Sequence, residues 1–278
     1  MDAGRLDEFA FASRKRPEFM HHRLVLCNRC DLLFANPAPT PVSLERAYRA
    51  ASYDSAVESK YASLTYAAQL DHLLPTLPTE GGAVDIGTGD GAFLARLLER
   101  GFRDVIGIEP SEAPITHATP EVAVHIRRGA FDPGDFPPGR FRLVTCFQTL
   151  EHVDDPVALC RGALRLLQPG GALFVVSHDR RAPLNRVLGR KSPIYDIEHL
   201  QLYSPPALRA LFVRSGFCAV RHWAVHNRYP LRYWTSLAPL PMPLRKWLAT
   251  GLDRLGLASL PVSLPVGNLA VVGYKPPG

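Results

Sequence analysis

The chain has 278 residues, of which 46% are hydrophobic and 21% charged, and its formal net charge is +6. A chain of this length can hold one α/β domain of ordinary size with appendages, and its composition is that of a globular protein and not of a disordered or fibrous chain. The basic residues are scattered without a run of five or six, so the charge does not indicate a nucleic-acid partner.

Membrane and secretion signals are absent from the sequence pattern. No segment reaches eighteen consecutive apolar residues, and the first twenty residues lack the apolar stretch of a signal peptide. We therefore expect a cytoplasmic protein. Its five cysteines should then be reduced or metal-bound and not paired in disulfides.

Residues 1–41 form the first predicted unit. Within it Cys27 and Cys30 lie between two short apolar runs, which is the outline of a zinc-binding hairpin. Tetrahedral zinc needs four ligands, and His21 and His22 are the near candidates for the other two. Adjacent side chains on an extended strand point to opposite faces. The sequence therefore predicts at best a weak three-ligand zinc site, or a metal-free hairpin with two thiols.

Residues 42–81 are predicted to be helical and to end in a linker. Apolar and polar residues alternate there at helical spacing, and Ser43 suits a helix that begins at Leu44. The segment is rich in tyrosine, at Tyr48, Tyr53, Tyr61 and Tyr66. These tyrosines could contact a bound substrate or pack at a half-buried surface.

The third predicted unit, residues 82–278, opens on a strand, a glycine turn and a helix. An apolar run to Ile86 breaks into the turn Gly87–Gly91, and an amphipathic helix follows to Glu99. Glycines let the backbone approach a ligand, and the start of the helix offers unpaired N–H groups to it. Glu109 ends the next apolar run, where a carboxylate can accept both hydroxyls of a ribose. The loose glycine spacing also fits a dinucleotide-binding turn.

Three stretches together resemble class I S-adenosylmethionine-dependent methyltransferases. They are the spacing Asp-x-Gly-x-Gly-x-Gly from Asp85, the triplet Leu150–His152 and the turn LQPGG that begins at Leu167. The resemblance covers roughly residues 21–226 and the last strand. It implies a doubly wound, mostly parallel seven-stranded sheet with an antiparallel last strand, a small N-terminal hairpin and a helical cover. The third strand is predicted at 122–126.

The N-terminal segment resembles half of the zinc-binding module that precedes many bacterial small-molecule methyltransferases. The first CxxC of that module is missing from this sequence. Either the site is degenerate or the natural chain begins further upstream.

The resemblance also implies site residues. Those assigned to S-adenosylmethionine are Asp85, Gly87, Thr88, Gly89, Gly91, Glu109, Pro110, Ala130, Phe131, Gln148 and Thr149. A hydroxyl or carbon-acid acceptor needs a base. His199 beside Glu198 is the first candidate and His178 the second, whereas His152 is interpreted as structural.

An insert between the last two strands, residues 227–267, is rich in proline, leucine and arginine. Its predicted helix within 240–257 is amphipathic and basic. Such a helix can contact a membrane surface, cap the domain or pair two subunits. Packing or pairing is the favoured interpretation.

The sequence thus predicts a methyltransferase that acts on a small-molecule, glycan or lipid-linked acceptor by O- or C-methylation. A non-catalytic protein that binds S-adenosylmethionine is the first alternative. A nicotinamide-dependent oxidoreductase is the second, although Asp85 and the paired late strands speak against it.

Overall fold

The computed structural model describes residues 20–40, 43–44, 53, 55–237 and 241–277. Ser43 and Leu44 are helical, whereas the sequence predicted a helix that begins at Leu44. The rest of that first predicted helix, including Tyr48, lies outside the described residues.

The described residues form ten strands, and they also form nine helices of four or more residues. The strands are β1 (Leu24–Leu26), β2 (Leu33–Ala35), β3 (Gly82–Ile86), β4 (Val105–Glu109), β5 (Ile126–Arg128), β6 (Phe141–Phe147), β7 (Leu167–His178), β8 (Gln201–Leu202), β9 (Cys218–Pro230) and β10 (Pro261–Tyr274). The helices are α1 (Ala56–Asp71), α2 (Ala92–Glu99), α3 (Glu112–Ile115), α4 (Pro120–Ala123), α5 (Pro156–Leu166), α6 (Pro183–Leu188), α7 (Pro205–Ser215), α8 (Leu231–Leu237) and α9 (Met242–Arg254).

Seven strands form the main sheet in the order β5-β4-β3-β6-β7-β10-β9. The pairs among β5, β4, β3, β6 and β7 are parallel, whereas β10 is antiparallel to both β7 and β9. The predicted sheet with an antiparallel end is confirmed. Parallel strands need helical crossovers, and these cover both faces of the sheet.

The alternating direction of strand side chains divides the core into two layers. On one face, Val84 and Val144 pack with Leu208 and Phe212 of α7. On the other face, residues such as Leu143 pack with apolar side chains of α1 and α2. The sheet is therefore doubly wound, and α1 belongs to the same packed body as the glycine turn.

A second, small sheet joins the N-terminal hairpin to the main body. β2 pairs with β1 and with β8, so the predicted hairpin is confirmed and gains a third strand. Asp31 at the hairpin turn forms ion pairs with Arg180 and Arg181, which follow β7. Its backbone oxygen also accepts a hydrogen bond from Ser204 (3.2 Å). The hairpin therefore holds the segment between β7 and β8 in place.

Two stretches differ from the sequence-based predictions. The strand predicted at 122–126 is wrong, because 120–123 form helix α4 behind Pro120 and the strand begins only at Ile126. Pro120 supplies a preset backbone angle for the first helical turn. At the other end of the chain, β9 and β10 continue into the region predicted as an insert, since Pro230 pairs with Pro261.

Among the described residues, no helix combines the length and the apolar content needed to cross a bilayer.

Candidate active site

The glycine turn stands at the carboxyl end of the central strand β3. A Cβ added at Gly87 would lie 2.2 Å from Oγ1 of Thr149, and one added at Gly91 would lie 2.4 Å from Cγ1 of Val122. A Cβ at Gly89, where φ is +58°, would meet no described atom within 4 Å. Gly87 and Gly91 are thus required by packing, whereas Gly89 borders the open space that a ligand would occupy.

Glu109 connects the glycine turn to the end of β4. Its Oε2 accepts the N–H of Gly89 (2.9 Å), and its Oε1 accepts the N–H of Ser111 (2.8 Å). Burial raises the pKa of this carboxyl, although the two backbone N–H groups act against that shift. Each carboxylate oxygen has a second lone pair, so Glu109 can still accept hydrogen bonds from a ribose.

Asp85 lies inside the sheet. It is buried in β3, and its Oδ1 accepts a hydrogen bond from Oγ1 of Thr145 in β6 (2.6 Å). Burial raises the pKa of Asp85 to about 6. This carboxyl therefore supports the strand that carries the turn.

The helical cover is fastened directly to the glycine turn through Asp90. Tyr53 donates its hydroxyl to Oδ2 (2.8 Å), and Ser59 donates to Oδ1 (2.6 Å). Oδ1 also accepts the N–H of Ala92 (3.1 Å) at the start of α2. Asp90 was missed by the sequence analysis. The signal available there was an acidic residue inside a turn that otherwise needs small ones.

The segment after β6 brings a strained residue to the same edge of the sheet. Gln148 has φ +49°, and its backbone N–H bonds to the oxygen of Val176 (2.8 Å). Its side-chain amide donates to the hydroxyl of Tyr66 (3.4 Å), while Oε1 is buried without a partner among the described residues. That oxygen is placed to accept a hydrogen bond from a ligand.

The other residues assigned to the cofactor lie on the segments that follow the strands of the main sheet. Phe131 packs against Gly162 of α5, Ala130 beside it is exposed, and Pro110 is half-buried after β4. Thr149 donates to the oxygen of Phe147 (2.9 Å), and Thr88 is buried.

Three histidines meet at the carboxyl edge of β6 and β7. The ring centroid of His199 lies 4.9 Å from that of His152 and 5.1 Å from that of His178. His199 is buried, and its Nδ1 donates to the oxygen of Ile194 (2.8 Å). Because a carbonyl can only accept, Nδ1 carries the proton and Nε2 presents a lone pair. Sequence reasoning assigned His152 a structural role, whereas the structure makes it part of this cluster.

Glu198 lies between two of these rings. Its Oε1 is 3.9 Å from Nε2 of His199, and its Oε2 is 4.0 Å from Nδ1 of His152. Burial lowers the pKa of His152 and lowers that of His199 further, so both imidazoles are neutral at pH 7. One ligand atom from each of these three residues lies within 4.8 Å of the others. The cluster thus has the chemistry of a base with a nearby carboxylate, and also the donor set of a two-histidine, one-carboxylate metal site.

A buried carboxylate holds this cluster together. Oε1 of Glu151 accepts the hydroxyl of Ser177 (2.7 Å) and the N–H of His178 (2.6 Å), and the Glu151 backbone oxygen accepts the N–H of Leu200 (2.9 Å). Sequence reasoning did not single out Glu151. It joins the loops that carry all three histidines.

The N-terminal cysteines are arranged differently from a closed zinc site. Cys27 and Cys30 are partly exposed, and their side chains face each other. The side chain of His22 faces the backbone of Ile197, and the ring centroid of His21 lies 6.0 Å from that of Tyr195. In the described part of the chain, no third histidine, cysteine or carboxylate completes a metal-binding group with the two thiols.

A family model described as a methyltransferase domain matches residues 58–222, which is more than half of the chain. This protein belongs to the class I S-adenosylmethionine-dependent methyltransferases. The matched range includes the glycine turn, Glu109 and the histidine cluster of the methyltransferase.

Curated relatives point in the same direction. A ubiquinone biosynthesis O-methyltransferase of Pseudomonas aeruginosa is 37% identical over 114 residues, which is 38% of this chain and 49% of the relative. The enzyme of the same name from Acinetobacter baumannii is 27% identical over 181 residues, or 61% of this chain and 72% of the relative. The methyltransferase thus aligns with about half the length of the Pseudomonas relative.

Solved structures share the fold. An S-adenosylmethionine-dependent methyltransferase from Archaeoglobus fulgidus has a TM-score of 0.54 at 18% identity and covers 78% of this chain and 97% of its own. The [4+2]-cyclase SpnF has a TM-score of 0.51 at 20% identity and covers 76% and 82%. At these identities the likeness concerns the fold alone.

Two glycine variants should separate ligand contact from packing. We expect Gly89→Ala to weaken S-adenosylhomocysteine binding at least about tenfold and to cost about 1–2 kcal/mol of stability, the penalty of a left-handed alanine. Gly91→Ala should cost more stability, because its Cβ also meets Val122. Calorimetric titration and denaturant unfolding measure the two effects. Equal affinity of Gly89→Ala and the parent would contradict this placement of the ligand.

A second prediction concerns metal at the hairpin. We expect protein purified without chelator to retain no stoichiometric zinc at Cys27 and Cys30, because two thiols alone do not close a tetrahedral site. Elemental analysis after dialysis tests this, with Cys27→Ser and His199→Asn as a matched pair of variants. One zinc per chain that is lost only in Cys27→Ser would show the prediction to be wrong.

Proposed function

We propose that this methyltransferase transfers the methyl group of S-adenosylmethionine to an oxygen atom of a small-molecule acceptor. The supporting observation is that one edge of the sheet carries both an open glycine turn and a buried neutral histidine.

The residues around the glycine turn fit this cofactor. The open space at Gly89 admits a ligand against the backbone, and Glu109 offers lone pairs suited to ribose hydroxyls. Gln148 offers a buried oxygen suited to an ammonium group. When bound, S-adenosylmethionine supplies an electrophilic methyl group on a sulfonium.

On the acceptor side, we assign His199 as the base. Its Nδ1 is fixed by Ile194, so Nε2 is ready to accept a proton at neutral pH. The acceptor oxygen gains the methyl group, its proton passes to Nε2, and the electrons of the broken C–S bond stay on sulfur. The Glu198 carboxylate, 3.9 Å from Nε2, would stabilise the imidazolium that forms.

The acceptor is proposed to be a hydroxyl because the curated relatives are named O-methyltransferases. Those relatives are named for ubiquinone biosynthesis, which is consistent with a small-molecule acceptor. A glycan or lipid-linked acceptor and a cytoplasmic location remain part of the proposal.

The fold alone does not determine the reaction, since one structural neighbour is named as a cyclase. A protein that binds the cofactor without transferring methyl is therefore the second candidate. Calorimetric titration with S-adenosylhomocysteine and with NAD separates both candidates from a nicotinamide-dependent oxidoreductase. A methyl-transfer assay with phenolic acceptors then separates the methyltransferase from the non-catalytic protein. Binding of NAD in place of S-adenosylhomocysteine would overturn the proposal.

For the ribose contact, we expect Glu109→Ala to weaken S-adenosylhomocysteine binding by about 1.5–3 kcal/mol, the usual contribution of charge-assisted hydrogen bonds. Glu121→Ala, which removes an exposed carboxylate on α4, should bind like the parent. Calorimetry on both variants gives the comparison. Unchanged affinity in Glu109→Ala would mean that the ribose lies elsewhere.

For the base, we expect His199→Ala to lower kcat about 10²–10⁴-fold with nearly unchanged cofactor affinity. His222→Ala, an exposed histidine on β9, should behave like the parent. Because burial lowers the pKa of His199, protonation of this residue should reduce the parent's rate only well below pH 6.5. A melting curve must show that each variant is folded. An unaltered rate at saturating acceptor would remove His199 from the mechanism.

A further inference from the structure

Helix α9 is an amphipathic helix whose apolar stripe faces outward. None of its residues is buried, and Leu244 and Trp247 are 41% and 70% exposed. Leu255, just beyond the helix, is 73% exposed. At about 100° per residue, these three side chains fall within about 80° of the helix circumference. We call them the apolar stripe.

The segment around helix α9 also exposes apolar side chains. We call residues 227–267, which include α8 and α9 and the adjoining ends of β9 and β10, the arm. In the described residues, seven of the fifteen large exposed hydrophobic side chains belong to the segment between β9 and β10 or to the start of β10. Besides the apolar stripe they are Met242, Leu257, Leu260 and Leu264. Such a concentration marks an interaction surface and not ordinary scattered exposure.

The charge around the apolar stripe is positive. Residues 227–267 contain five arginine and lysine residues but a single carboxylate, Asp253. That carboxylate is paired with Arg232 (2.9 Å). On the helical projection, Arg245 and Arg254 fall on opposite sides of the apolar stripe. A partner for this surface must therefore supply negative charge as well as apolar contact.

The arm is bonded to the main sheet near the carboxyl edge of β6 and β7, where the three histidines meet. Nε1 of Trp234 in α8 donates to the oxygen of Val262 in β10 (2.8 Å). The Arg232–Asp253 pair then fastens α9 to α8. Just beyond the arm, Asn268 accepts a hydrogen bond from Nδ1 of His178 in the histidine cluster (3.1 Å). Helix α9, which carries the apolar stripe, is thus fixed through α8 to β10, the strand whose Asn268 contacts the histidine cluster.

We propose that the apolar stripe docks this protein on the surface of an anionic lipid bilayer. A second copy of the chain is disfavoured, because pairing two identical stripes would bring their cationic borders together. Anionic lipid headgroups complement those borders, while the interfacial region accepts the tryptophan and leucine side chains. The docking would bring the acceptor edge of the sheet close to a lipid-phase acceptor. The binding itself does not depend on the proposed methyl transfer.

Co-sedimentation with vesicles tests the proposal directly. We expect the full chain to bind vesicles of phosphatidylcholine mixed with phosphatidylglycerol more tightly than vesicles of phosphatidylcholine alone. Binding should weaken as the salt concentration rises, and the tryptophan emission should shift to shorter wavelength. Equal binding to both vesicle types, or none to either, would overturn the proposal.

Paired variants locate the contact. We expect the double variant Trp247→Ala with Leu255→Ser to lose at least about tenfold in vesicle affinity, since each apolar side chain contributes when it leaves water. Val187→Ser, which alters an 85% exposed apolar residue on α6, should bind vesicles like the parent. Melting curves confirm that every variant is folded. Unchanged vesicle affinity in the double variant would overturn the assignment, as would a lipid-free dimer that this variant dissociates.

Discussion

The hydrogen bond from the N–H of Gly89 to Glu109 is the contact on which the candidate cofactor site depends. It joins the turn after β3 to the end of β4, so the positions of these two neighbouring strand ends are fixed relative to each other. It requires a left-handed residue at position 89, and it requires a buried carboxylate whose charge is compensated by backbone N–H groups. Hydrogen bonds to charged groups contribute about 1.5–3 kcal/mol, enough to preorganise this turn before any ligand arrives.

The histidine cluster depends on a different buried carboxylate. Glu151, which follows β6, bonds to Ser177 and His178 at the end of β7 and to Leu200, just before β8. A buried carboxylate needs partners in place of water, and these hydrogen bonds supply them from separate segments of the chain. The hairpin contributes from outside, through Asp31 and its two arginines. The N-terminal hairpin thus helps to shape the edge where the histidines meet.

The family relationship and the peripheral features concern different parts of the molecule. The match to the methyltransferase family covers the sheet and its carboxyl edge. It ends at residue 222, before the arm built from the ends of β9 and β10 and from α8 and α9. In folds that many enzymes share, the common sheet can bind the cofactor that the family shares, while appended elements can determine which acceptor reaches it. The basic, apolar arm next to the histidine cluster fits that division.

The sequence by itself determined the features that depend on neighbours along the chain. The strand, glycine turn and helix around Gly89 follow from local periodicity and backbone freedom, and the position of Glu109 follows from the end of an apolar run. Only the tertiary structure decided which distant residues meet. His152, His178 and His199 come together because β6 and β7 end side by side and Glu151 fixes the loops beyond them. Likewise Asp90 meets Tyr53, and His22 meets Ile197 instead of a cysteine. Such contacts depend on how the strands are ordered and on which faces pack, and no local pattern encodes either.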